Sequence, residues 1–170
     1  MRPVTPESTA DFRAALRDAA EDLLAYFERR LTIREDAADL LAETMLQAWR
    51  RHDTMPEQAE RRRMWLFTVA ANVLANHHRS TRRRLALADR LRGHLVTSAT
   101  EPDHAEASAV RDAVLRLHAA QRELVMLIHW DGFSIVDAAE ILGLNPSTAR
   151  SRYSAAREEL KQALSAVTCT

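Results

Sequence analysis

A chain of 170 residues holds one ordinary domain or two small helical ones, and its 46% apolar content with only three glycines favours helices, because Ala and Leu cost little there while strands draw on β-branched and aromatic residues. A single cysteine, Cys169, excludes an internal disulfide and a cysteine-only metal cage, and with no run of about 18 apolar residues and no signal-peptide core the expected address is the cytoplasm, with no membrane insertion. The net charge of zero conceals an alternation of −4 over 1–48, +7 over 49–93 (eleven arginines against four acids), −5 over 94–148 and +2 over 149–170, and basic stretches attract phosphate locally whatever the total.

In chain order, Phe12, Leu16, Leu23, Leu24 and Phe27 recur at helical spacing and predict an amphipathic helix over 11–30. A second helix is predicted over 36–51, with Ala37, Leu40, Leu41, Met45 and Trp49 on adjacent faces. Pro56, which lacks an N–H and pushes the preceding residue out of helical geometry, breaks it. A third helix is predicted from about Glu60 to Arg83, with Trp65, Leu66, Val69, Val73 and Leu74 apolar and the cluster Arg79, Arg82, Arg83, Arg84 at its end. The stretch 96–108 carries Ser, Thr, Pro and Asp without an amphipathic period and reads as a flexible linker. The expected organisation is therefore all-α: two small helical domains, 1–95 and 109–170, joined by 96–108.

The second block predicts helices over 110–117, 120–130 and 135–142 and a last one opening at Asn145-Pro146. Ser134 and Asn145 stand where cap residues belong, Pro146 at a first helical position and Gly143 at a helix end. Residues 134–157 form a helix, a glycine turn and a capped second helix, the pattern of a helix-turn-helix. The second helix opens with Ser147, Thr148, Arg150, Ser151 and Arg152 and continues to Arg157. These hydroxyls and guanidiniums reach phosphates and base edges in a major groove. A plain helical hairpin with a solvated basic face is the bland alternative. The cap, glycine and apolar positions, all in register, favour DNA binding.

These residues resemble sigma factors of the extracytoplasmic-function (ECF) group of the sigma-70 family. The family's region 4 reads L-P-x-x-Q-R-E and then E-G-[LFY]-S-x-x-E-I-A-x-x-L-G-x-x-x-G-T-V-x-S-R. Here Leu117, Gln121, Arg122 and Glu123 stand in the first part, and Gly132, Phe133, Ser134, Ala139, Leu142, Gly143, Thr148, Ser151 and Arg152 in the second. The run 39–49, DLLAETMLQAW, resembles the region 2 signature E-D-L-V-Q-E-T-F-x-x-A-W, and 65–72, WLFTVAAN, resembles W-L-x-x-I-A-x-N. The resemblance covers both blocks in order, about four-fifths of the chain.

It implies a sigma factor that binds core RNA polymerase and directs promoter-specific initiation, with promoter DNA and an anti-sigma factor as partners and no catalytic residue, metal or cofactor. Asp39, Leu40, Glu43, Thr44 and Gln47 are then expected to meet the polymerase. Asp39 and Glu43, four apart, set two carboxylates on one helix face, able to receive arginines from a partner. Arg61, Arg63, Trp65, Asn72, Asn76, His77, Arg79, Arg82 and Arg83, with the loop 53–61, are expected to engage and open the −10 element. An aromatic can stack on an exposed base and guanidiniums hold phosphates, although Trp65 at helical spacing with Val69 also suits a core position. Ser147, Thr148, Arg150, Ser151, Arg152 and Arg157 are expected at the −35 element. His77 and His78 point about 100° apart on a helix and make no ready chelate.

Departures from the pattern are Ala42 for Gln, His118 for Pro, Ser147 for Gly, Arg62 where an aromatic commonly precedes the Trp, and Ala155 where the recognition helix often has Arg. The competing reading is a free-standing helix-turn-helix regulator, which needs neither the Asp39-bearing helix nor a base-trapping loop.

Overall fold

The structure, a computed structural model, describes residues 6–92 and 105–168, with side chains described over 10–87 and 109–165. It is all-helical among the described residues and divides into two compact units, Met1–His94 and Leu95–Thr170.

The first unit holds α1 (Pro6–Glu28), α2 (Arg34–Arg50), a 3-10 turn (His52–Thr54) and α3 (Ala59–Arg92). Each of the three helices touches the other two. The predicted apolar period of α1 is borne out at Phe12, Leu23 and Phe27, which are buried. Leu16 and Leu24 flank that face half-buried, and Tyr26 joins the core. Tyr26 meets Phe27 edge-on at 5.2 Å and Phe67 of α3 at 5.4 Å, the arrangement that opposes a ring's positive edge to another's negative face. α2 turns Ala37, Thr44 and Ala48 inward, and these small residues allow its neighbours close approach. α3 buries Met64, Leu66, Phe67, Val69, Ala70, Val73 and Leu74.

Three boundaries differ from the sequence expectation by five residues or more. α1 starts at Pro6 instead of Asp11, because proline is tolerated in a first turn, where its missing N–H is not needed. α3 continues to Arg92, nine residues past the expected end, since Leu, Ala and Arg are good helix formers and no Gly or Pro intervenes before Gly93. α4 starts at Ala105, inside the stretch assigned as linker, whose last residues Ala-Glu-Ala favour helix; residues 96–104 of that stretch lie outside those described.

The second unit holds α4 (Ala105–Arg116), α5 (Ala119–His129), α6 (Ile135–Ile141) and α7 (Pro146–Thr168), and α7 touches the other three. Its core joins Val114 of α4, Leu117 just after it, Val125 and Met126 of α5 and Ala156 of α7, with Tyr153 and Leu160 packed on it. The caps read from the sequence are in place. Ser134 Oγ accepts from the Asp137 N–H at 3.1 Å, and Asn145 Oδ1 accepts from the Ser147 N–H at 2.9 Å. His118, which stands where a proline was expected, caps α5 through Nδ1, accepting from the Ala120 N–H at 3.3 Å. Gly143 ends α6 at φ 62°, a left-handed conformation that costs glycine least.

Candidate polymerase and nucleic-acid interfaces

At about 100° per residue, α2 carries Asp39, Glu43, Leu46 and Arg50 along one side, opposite the buried Ala37, Thr44 and Ala48. Asp39 is exposed. Glu43 is half-buried and accepts a hydrogen bond at 2.9 Å from Gln47 Nε2, which orients both groups on the helix surface. Leu40 and Gln47 flank this face, half-buried. Thr44 is a correction. It is 0% exposed and its hydroxyl donates to the Leu40 carbonyl at 2.7 Å, so its place is in the core, with no surface left for a partner. Leu46, 44% exposed, and Arg50 belong to the outward face and were missed. Their spacing of seven and eleven residues from Asp39 carried the signal.

α3 sorts its nine expected DNA residues by the same geometry. Arg61, Trp65, Asn72, Asn76, Arg79 and Arg83 fall within one narrow sector, exposed except for the half-buried Trp65, and Arg82 lies beside them. Arg63 and His77 lie on the opposite side. The Arg63 guanidinium bonds Asp22 of α1 at 3.2 Å and lies 4.8 Å from the Phe67 ring centroid, and His77 Nε2 is 3.9 Å from Asp36 of α2. Both tie α3 to its own unit, so their assignment to DNA gives way to a structural one. The reason is periodic: each is about half a turn away from the exposed stripe. Arg61 itself sits in the first turn of α3, so the loop before the helix is shorter than expected, 55–58.

At the end of α2 an aromatic cluster leads into that loop. Trp49, predicted on an apolar face, is 41% exposed, and His52 stacks on it at 5.6 Å with the ring planes 24° apart. Phe12 meets both edge-on, and His52 Nδ1 lies 2.9 Å from the Trp49 carbonyl oxygen.

On α7, Ser147 and Ser151 share an exposed face with Ser154, which sequence reasoning passed over although it continues their spacing. Arg150 and Arg157 flank this face on one side, both exposed. Thr148 and Arg152, half-buried, flank it on the other, while Ala149 and Ala156 face the core. The Ser147 hydroxyl donates to Asn145 Oδ1 at 2.8 Å, so the cap also fixes the first hydroxyl of the face. A hydroxyl row flanked by three guanidiniums makes a surface suited to phosphate and base edges.

Fold and surfaces together define a class: a helical DNA-binding protein with a helix-turn-helix in one unit and a basic-faced three-helix assembly in the other. Residues 16–84 match the family model described as Sigma-70 region 2, and residues 107–160 match Sigma-70, region 4. The chain is 32% identical over 157 residues to the ECF RNA polymerase sigma factor SigL of Mycobacterium tuberculosis, covering 88% of this chain and 87% of that one. It is 33% identical to the ECF RNA polymerase sigma factor BldN of Streptomyces coelicolor over 87% of its own length, spanning 59% of that relative. Among solved structures it is similar to the sigma factor RpoE of Bartonella quintana, crystallised with the anti-sigma factor NepR, with a TM-score of 0.73 and 30% identity over 91% of this chain and 97% of that one.

The chain belongs to the sigma-70 family of RNA polymerase sigma factors, in its ECF group. Its function is that of a sigma factor: it binds core RNA polymerase and directs promoter-specific initiation of transcription. No helix among the described residues is long and apolar enough to cross a membrane.

Proposed function

We propose that the work of initiation is divided among the three exposed faces. The α2 face of Asp39, Glu43, Leu46 and Arg50, flanked by Leu40 and Gln47, docks on core polymerase. Two carboxylates beside an exposed leucine match a partner that offers arginines around an apolar patch. The α3 stripe of Arg61, Trp65, Asn72, Asn76, Arg79 and Arg83, with Arg82, follows the −10 strand: guanidiniums neutralise phosphates while the indole and the amides meet unstacked bases. The α7 face of Ser147, Ser151 and Ser154, with Arg150 and Arg157 on one flank and Thr148 and Arg152 on the other, reads the −35 duplex in the major groove. On this reading the helices of the first unit carry polymerase binding and −10 recognition, the linker ends before Ala105, where α4 begins, and α4 to α7 carry −35 recognition.

The observation that carries this reading is the sorting on α3, where six polar, basic and aromatic residues chosen from the sequence share one sector. A free-standing regulator would have no use for such a stripe in addition to a helix-turn-helix. The chain makes and breaks no covalent bond, so strand opening draws on binding energy to unstacked bases. It works in the cytoplasm, with an anti-sigma factor as its inhibitor, in keeping with the RpoE–NepR complex.

The test is co-purification with core polymerase and run-off transcription. The Asp39→Arg variant, which reverses charge on the docking face without touching the core, is expected to lose both. Undiminished binding of that variant would overturn the assigned interface.

A further inference from the structure

Apolar contacts hold α7 in the second unit, and such contacts are non-directional: they resist separation more than rotation or sliding. Directional restraint comes from polar links. Gln121 Nε2 donates to Glu159 Oε1 at 2.9 Å, and the Tyr153 hydroxyl lies 2.9 Å from His129 Nε2. Both join α5 to α7. The lower-numbered end of α5 meets the higher-numbered position on α7, so the helices run past each other in opposite senses. The links are separated by about 9 Å along α7 at 1.5 Å per residue, enough to define both its rotation and its slide.

The second link sits beside the DNA-facing surface. The Tyr153 and His129 rings are 5.9 Å apart and tilted by 30°, and the Arg157 guanidinium carbon lies 6.0 Å from the centroid of the same tyrosine ring. Arg157 is one turn beyond Tyr153 and Arg150 one turn before it, on the same flank. Tyr153 itself is half-buried on the core of Val114, Leu117, Val125, Met126 and Ala156, so its ring cannot follow solvent.

We propose that His129 and Tyr153 are a positioning pair for promoter reading, in which the hydroxyl–imidazole link fixes the tyrosine ring against which Arg157 is held for its DNA contact. The proposal rests on the reading of α7 as the DNA-reading helix. Either neutral tautomer of His129 sustains the link, with donor and acceptor exchanged, and the protonated ring sustains it as donor.

The experiment uses the full chain and a labelled duplex recovered by that chain from a randomised pool, with affinity measured against salt concentration. Arg157→Ala is expected to weaken binding about tenfold and reduce the salt slope by about one. Tyr153→Phe, which removes one oxygen, is expected to weaken it about fivefold, the equilibrium equivalent of one hydrogen bond, while lowering the melting temperature by only a few degrees and leaving the second unit folded. His129→Leu should behave like Tyr153→Phe, and His129→Gln, whose amide still reaches the hydroxyl, should restore binding to within about twofold. In the Arg157→Ala background, Tyr153→Phe should cost nothing further. If Arg157→Ala weakens binding while Tyr153→Phe and His129→Leu do not, or if the losses multiply, the positioning pair is refuted and the reading of α7 stands. If Arg157→Ala and Arg150→Ala together leave binding unchanged, the reading of α7 fails and takes the proposal with it.

Discussion

Single residues in this protein separate into those that shape a helix and those that face outward from it, and burial decides between them. Thr44 matches the family signature yet is fully buried with its hydroxyl on its own helix. Thr44→Val is therefore expected to leave polymerase affinity unchanged and to cost stability by about 1 kcal/mol, the net worth of one hydrogen bond, measurable by chemical denaturation alongside a binding assay. A clear loss of polymerase binding in a folded Thr44→Val protein would return that residue to the interface. Asn145 does the opposite work. Its side chain accepts from both the N–H and the hydroxyl of Ser147, so Asn145→Ala removes a cap and frees the first hydroxyl of the reading face. The expected loss is about 1 kcal/mol in the stability of the second unit, accompanied by weaker duplex binding.

Helices add what no residue has alone, a face. On α3 the core side ends at Leu74, and no residue from 75 to 87 is buried, so the distal part of the helix carries its arginines outside the packing of the first unit. Leu85 and Leu87, each 59% exposed, ride on that same extension. Replacing Arg79 and Arg83 together by Ala should cost little stability, since both are exposed, yet reduce the salt slope of promoter binding by about two, one for each phosphate contact. Measurement of open-complex formation across a salt series checks this, and an unchanged slope would remove these arginines from the strand's path. Arg63 offers the contrast. It is bonded to Asp22 across α1 and α3, at a partly exposed position where such pairs contribute less than about 1 kcal/mol, and its substitution should leave the slope alone.

At the scale of the whole molecule, the two compact units each have their own core, the first built on aromatic edges around Tyr26 and the second on the cluster around Val125 and Ala156. Fragments 1–94 and 95–170 are accordingly expected to fold separately, each with a helical spectrum and a cooperative melt. A fragment that stays unfolded would show that its core is incomplete without the other. Much of this was legible in the chain itself. Helical period, the proline break at Pro56, the caps at Ser134 and Asn145 and the glycine stop at Gly143 are local instructions, carried by hydrogen-bonding groups and backbone freedom within a few residues. The ends of α1, α3 and α4 were less legible because propensity alone sets no sharp stop where good helix formers continue. What only tertiary structure decided is which side of each helix is occupied. Arg63 and His77 look from the chain like further DNA residues, and Thr44 like a further docking residue, until Asp22 of α1 and Asp36 of α2 are seen beside the first two and the third is seen on the buried side of α2. The pairing of His129 with Tyr153, 24 residues away, has no local signature at all. Sequence period orders side chains around a helix axis, but only the neighbours that pack against that axis determine which sector is left facing water.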